Sequence, residues 1–199
     1  MQGLSAKGGE RGSGVVAELS SLGLEAAAVD VVAEQRMPDR GEVDADLVGA
    51  PERPRGTIDK PIDRHPRARD KMAVREGGRE AITHWEVLER YRGSDGAPVA
   101  SLIACRLETG RTHQIRVHLA SIGHPLLGDD VYGGDFKTKA TQLGDDARAA
   151  LAALGRQALH AYLLGIEHPS QGTNLEFRAE LPDDLLRLRH SLGAQGTLA

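Results

Sequence analysis

Two alternating runs joined by a tight turn constrain this chain most. Ala81 to Tyr91 (AITHWEVLERY) sets Ile82, His84, Glu86 and Leu88 against Thr83, Trp85, Val87 and Glu89. This is the period of a strand, in a stretch rich in β-branched and aromatic residues. Pro98 to Leu107 (PVASLIACRL) alternates again, with Val99, Ser101, Ile103, Cys105 and Leu107 on one face. Between them Ser94-Asp95-Gly96 supplies hairpin chemistry, so the pair is predicted antiparallel.

The segment that follows reads as a turn and a short helix. After the Glu108-Thr109-Gly110 turn, Ile115, Leu119 and Ile122 recur at i, i+4 and i+7, the stripe of a short helix. Thr112 is its expected N-cap, and Gly123 with Pro125 its stop. Arg111, His113, Gln114, Arg116 and His118 crowd the head of this helix. Two guanidiniums, an amide and two imidazoles in eight positions make a dense donor cluster, suited to a polyanion or a buried carboxylate. The helix N-terminus adds free backbone N–H groups.

The flanking elements are shorter. Thr57-Ile58-Asp59 reads as a strand stopped by Pro61. A basic loop follows with Arg64, His65, Arg67, Arg69 and Lys71, then Met72-Ala73-Val74 and a Gly77-Gly78 turn. Such a loop serves either as a phosphate contact or as an ordinary solvated turn. Asp145 to Leu154 carries acids in its first turn and ends at Gly155, which predicts a helix. Gln157 to Pro169 reads as one strand, Asn174 to Glu180 as its return, and a last helix starts at Leu181-Pro182-Asp183-Asp184. Upstream, Met1 to Gly14 is Gly/Ser-rich, and Val15 to Gln35 is a weak helical candidate interrupted by Ser20, Ser21 and Gly23.

Composition narrows the classes. The net charge of −4 excludes a uniformly basic binder. Between Arg53 and Arg116, however, 14 Lys/Arg face 9 Asp/Glu, and a polyanion senses that local patch. A single Cys105 excludes an internal disulfide framework and fits a reducing compartment. No apolar run approaches the ~18 residues of a membrane span, and no secretory leader is evident. The expectation is a cytoplasmic, monomeric protein with no membrane partner. Of eight histidines, His113 and His118 stand five apart, a poor spacing for one helical face, and no metal site is expected.

These pieces, taken in order, resemble one family. GTIDKPI at Gly56 to Ile62, Arg64-His65-Pro66, Lys71-Met72, TGRTHQIRVHLASIGHPLLGD at Thr109 to Asp129, Tyr132-Gly133 and LHAYLLGIEHP at Leu159 to Pro169 are similar to the RluA-type RNA pseudouridine synthases. The resemblance runs from about Gly49 to Leu192. It divides the chain into a poorly ordered or non-homologous segment 1–48, a partial catalytic domain 49–192 and a tail 193–199. It implies an α+β fold, with a mixed, largely antiparallel sheet and flanking helices. The implied activity is isomerisation of uridine to pseudouridine in ribosomal, or transfer, RNA, with no metal or organic cofactor. In that family an aspartate acts on the ribosyl–uracil unit: the glycosidic bond breaks, the base rotates, and a C–C bond forms.

By the same resemblance Arg116 is the expected partner of that aspartate, since a buried carboxylate needs a neighbouring charge to stay ionised. Arg64, Arg67, Lys71, Arg111, His113 and Gln114 are the expected RNA contacts; Arg111 suits the Thr109-Gly110 turn equally well, and His113 and Gln114 suit the backbone groups around that buried turn equally well. The family carries its aspartate in an HRLD segment, and no HRLD occurs in these 199 residues. The place of a family tyrosine falls on Val43. Asp59, Asp63 and Asp129 match positions outside the catalytic role, and Asp129 is expected to bond to the backbone of its own turn. Gln2 to Ala6 resembles the text that follows the aspartate segment, so the expectation is a product that has lost that segment and carries altered text from Lys7 to Asp46. Such a chain is expected to be inactive alone. The rival expectation is a non-catalytic fragment that binds RNA through its basic loop or is unstable.

Overall fold

The computed structural model describes residues 42–48, 51–93, 95–133, 141–168, 170–193 and 197–198. The segments Met1 to Gly14 and Val15 to Gln35 lie outside them, as does Ser94 of the hairpin turn. The elements in chain order are β1 (Glu42–Val48), β2 (Arg55–Asp59), β3 (Ile62–Arg64), β4 (Met72–Val74), β5 (Ile82–Arg92), β6 (Pro98–Leu107), α1 (Gln114–Ser121), α2 (Asp145–Leu154), β7 (Leu159–Ala161), β8 (Leu163–Glu167), β9 (Asn174–Arg178), α3 (Asp183–Gly193) and β10 (Thr197–Leu198).

The predicted hairpin is the centre of the fold. β5 and β6 pair antiparallel from Thr83↔Leu107 to Arg92↔Pro98, with register shifts between Val87 and Glu89 and between Tyr91 and Arg92. The main sheet runs β10-β5-β6-β1-β7, and β2 also pairs with β5. Two small sheets, β3-β4 and β8-β9, complete the layout. Every strand pairing among the described residues is antiparallel, in keeping with the expected α+β fold and its largely antiparallel sheet.

Two strands lie outside the segment 49–192. Residues 42–48, assigned by sequence to the segment before the domain, form β1 between β6 and β7. The sequence EVDADLV alternates with the period of a strand, and it pairs with β6 along its whole length and with β7 at Val43 to Ala45. At the other end, Thr197 and Leu198, assigned to a tail, pair with Tyr91 and Arg90 of β5. The predicted strand Gln157 to Pro169 is also two elements. β7 pairs with β1 and β8 with β9, and the break falls at Tyr162, whose carbonyl accepts the Ala179 N–H at 3.0 Å.

β6 is buried on both faces, which period-two reading of one apolar side missed. Ile103 and Cys105 meet Ile58, Trp85, Ile115, Leu119 and Leu126 in one cluster. Ala100 and Leu102 join Tyr91 and the leucines of α2 and α3, Leu151, Leu154, Leu185, Leu188 and Leu192, in another. A central strand covered on both sides does not alternate in burial. On the neighbouring strand β5, Leu88 lies at a register shift and is the exposed large hydrophobic side chain among the described residues. The helical predictions hold well: α2 ends at Gly155 in the left-handed region, and α3 begins after Pro182.

Candidate active site

Helix α1 is held at its head by a buried amide. Gln114 is 3% exposed. Its Oε1 accepts from the Thr109 hydroxyl and the Arg111 N–H, each at 2.9 Å. Its Nε2 donates to the Ile82 carbonyl at 2.9 Å and to Thr83 Oγ1 at 3.1 Å. All its hydrogen-bonding positions are therefore occupied within the protein. Gln114 thereby ties the end of β6 and the start of β5 to the helix.

The network continues into the helix. His118 is fully buried, with Nδ1 2.9 Å from Thr83 Oγ1 and Nε2 2.9 Å from the Lys60 carbonyl. A carbonyl only accepts, so Nε2 carries the proton and Nδ1 accepts from the threonine. Burial, above all, pushes the His118 pKa down, and the bond to the Lys60 carbonyl opposes this only in part. His118 is thus a neutral pin between α1 and the β2–β3 connection.

His113, not Thr112, stands at the N-cap, and no side chain caps the helix. Its φ of 57° makes it the one non-glycine residue in the left-handed region among those described. That conformation costs roughly 1–2 kcal/mol for an L-residue. The ring gains a specific contact in return: Nδ1 lies 2.9 Å from the Tyr132 hydroxyl, and the two rings meet edge-on at 5.6 Å. The Tyr132 hydroxyl also accepts the Met72 N–H at 2.9 Å, so it is free to donate its own proton to His113. Burial, then the nearby Arg116 charge, hold the His113 pKa below its ordinary value.

Arg116 faces a carboxylate that local sequence does not reveal as its partner. Its Nε donates to Asp129 Oδ2 at 2.8 Å and its Nη2 to Oδ1 at 2.9 Å, the forked geometry that guanidinium and carboxylate share. The Asp129 side chain is fully buried and that of Arg116 is 11% exposed. Asp129 Oδ1 also accepts the Val131 and Tyr132 N–H groups at 3.0 and 2.9 Å, the turn-capping role the sequence predicts. The guanidinium lies 4.9 Å from the centroid of the Tyr132 ring, a cation–π contact. Burial pushes the Asp129 pKa up, but the bonds from Arg116 and the two amides outweigh it and hold the group below its ordinary value. The bond to Asp129 raises that of Arg116 further.

Tyr132 therefore joins what the sequence listed separately. Lys71 donates to the Val131 carbonyl at 3.3 Å, and Met72 to the Tyr132 hydroxyl, so the root of the basic loop abuts the Arg116 site. Arg64 and Arg67 are exposed on that loop, and no ion pair engages either among the described residues. His65 shapes it: Nδ1 accepts the N–H groups of Arg67 and Ala68. Arg111 sits apart on the turn before the helix, its Nε donating to the Glu80 carbonyl at 2.9 Å. Lys71, His113 and Arg116 thus surround one tyrosine, Arg64 and Arg67 flank them, and Gln114 lies beneath. Asp129 and Tyr132 are the neighbours that local pattern did not connect to Arg116. No helix among the described residues is long and apolar enough to cross a membrane.

An α+β fold with a largely antiparallel main sheet carries this site, and the comparisons place the chain among RNA pseudouridine synthases. A family model described as RNA pseudouridylate synthase matches residues 29–121, reaching back well before position 49. The chain is 48% identical over 137 residues to "Ribosomal large subunit pseudouridine synthase D" of Xanthomonas campestris pv. campestris, covering 69% of this chain and 39% of the relative. It is 45% identical over 134 residues to the protein of the same name from Escherichia coli (strain K12), covering 67% and 39%. Among solved structures, "Human RNA Pseudouridylate Synthase Domain Containing 1" aligns with a TM-score of 0.54 and 27% identity, over 71% of this chain and 54% of that one. "Human RNA Pseudouridylate Synthase Domain Containing 4" shares the fold, with a TM-score of 0.54 at 24% identity.

The chain belongs to the RluA-type pseudouridine synthase family. It spans about two fifths of the length of the curated relatives it matches.

Proposed function

We propose that this chain carries the arginine half of the catalytic site of a ribosomal RNA pseudouridine synthase and does not isomerise uridine by itself. The observation that carries this reading is the Arg116–Asp129 fork within a segment that matches large-subunit synthases at 45–48% identity. The family's aspartate would come from an HRLD segment, and these 199 residues contain none. Asp129 is bonded to Arg116 and to two backbone amides of its own turn, so it is not available to attack a base. The protein works in the cytoplasm as a monomer, without cofactor, on a uridine flipped out of its stack. Arg64, Arg67, Lys71, Arg111 and His113 are the proposed contacts to RNA, supported by the exposed basic loop beside the Arg116 site.

The test is tritium release from ribosomal RNA labelled at uridine C5. The purified chain is expected to release none above background, and release by the chain alone would overturn the claim of inactivity. A second reading, RNA binding without catalysis, draws on the exposure of Arg64 and Arg67. Three contacts from Arg64, Arg67 and Lys71 give a slope of about −2 in log affinity against log salt for single-stranded RNA. Retention should survive Arg116→Ala and fall on neutralising Arg64 and Arg67; absence of retention at low salt would remove RNA as the partner.

A further inference from the structure

The Arg116 guanidinium is held on one edge and open on the other. Nε and Nη2 are engaged by the two oxygens of Asp129. Nη1 has no protein partner among the described residues, and it is not among the buried atoms that lack one, so it meets solvent. The holding side is rigid. The Asp129 carboxylate is enclosed, and its position is set by two backbone amides as well as by the arginine. Tyr132 closes the face of the guanidinium, and is itself held through its hydroxyl by Met72 and His113. A buried ion pair stabilises a fold little more than a well-packed apolar pair would. Its geometric effect is larger, because a forked pair fixes the plane of the guanidinium and hence the direction of the remaining donors.

We propose that Asp129 is a positioning residue, which clamps Arg116 so that its Nη1 edge is presented, already oriented, to an oxyanion. This rests on the reading of Arg116 as part of the synthase site. The oxyanion is a carboxylate from another protein segment, and the arginine side chain is pre-organised before it arrives. Pre-organisation lowers the ordering cost that a flexible arginine would incur on binding.

The experiment uses the full 199-residue chain, labelled with nitrogen-15. The Arg116 side-chain signals are assigned by their loss in Arg116→Lys. In the wild type, the clamp should stop rotation about the Nε–Cζ bond and give separate Nη1 and Nη2 signals. Titration with acetate or with inorganic phosphate, against chloride at matched ionic strength, should move the Nη1 signal saturably. A saturable response to acetate supports the carboxylate partner, and a response to phosphate alone would make RNA the source and overturn that assignment.

Asp129→Asn retains an oxygen for the two amides but loses the charge and one arm of the fork. It is expected to merge the Nη signals and weaken anion binding at least about tenfold. Averaged Nη signals in the wild type would overturn the clamp whether or not the variant folds. The proposal also fails if neither anion moves Nη1, or if Asp129→Asn binds within about twofold of the wild type. None of these measurements reads uridine turnover, so the tritium assay tests the synthase reading separately.

Discussion

Replacing Gln114 with leucine tests whether one buried amide holds the functional helix in place. Leucine matches the volume, so the cavity term is small. Two donors lose their acceptor, the Arg111 N–H and the Thr109 hydroxyl. Each such loss costs about 1–3 kcal/mol, and both sites are only part-buried, so about 1.5 kcal/mol apiece is appropriate. The other two partners fare better. The Ile82 carbonyl still accepts the Glu108 N–H at 3.2 Å, and the Thr83 hydroxyl still meets His118. These add about 1 kcal/mol together, and the extra apolar burial of leucine offsets about as much. The net loss is about 3 kcal/mol, or about 6–12 °C in Tm for a chain of this length. Trp85, the only tryptophan and 8% exposed in the cluster beneath α1, reports unfolding in urea by fluorescence. A loss below about 1 kcal/mol would refute the claim that this amide network anchors the helix.

Three further outcomes follow from the same geometry. Gly128→Ala should cost more than about 2 kcal/mol in urea denaturation, because φ is +72° and an added Cβ would lie 2.3 Å from the Arg156 carbonyl oxygen; a neutral result would show that the loop has another conformation. Glu89 is held below its ordinary pKa first by its bond from Arg189, with Tyr91 adding a second. A depressed carboxyl contributes stability above its unfolded value of about 4.3, and that share is lost as pH falls through the folded one. Glu89→Gln should therefore remove about 0.5–1 kcal/mol at neutral pH, after solvent screening, and flatten the acid limb of the Tm profile. His118, depressed by burial, must charge on unfolding, so its share of stability is present above about pH 6.5 and declines below it. His118→Gln should reduce the slope of Tm against pH in that window, with His113 supplying the remainder; an unchanged slope would show that His118 is not the group responsible.

Much of this fold is legible in the chain. The β5–β6 hairpin, the stripe Ile115-Leu119-Ile122 and the glycine stop of α2 are local patterns, decided by alternation, helical period and backbone freedom. β1 was less so: a short alternating run becomes a strand when β6 and β7 pair with it on both sides. The split at Tyr162 was equally invisible, because one apolar run serves two sheets and only tertiary pairing says where it divides.

At the site, sequence by itself determined the chemistry. The run from Arg111 to His118 specified a donor-rich helix head, and its order with the flanking pieces specified the family. It also put Asp129 in a backbone-capping turn. Tertiary structure alone decided which donors face inward and which remain available. Gln114 and His118 became internal pins because the helix packs its head against β5 and the β2–β3 connection. Arg116 met Asp129 because the loop after α1 folds back beneath it, thirteen residues on. Helical period cannot report such a return, since a fork between distant residues depends on where a loop closes in space.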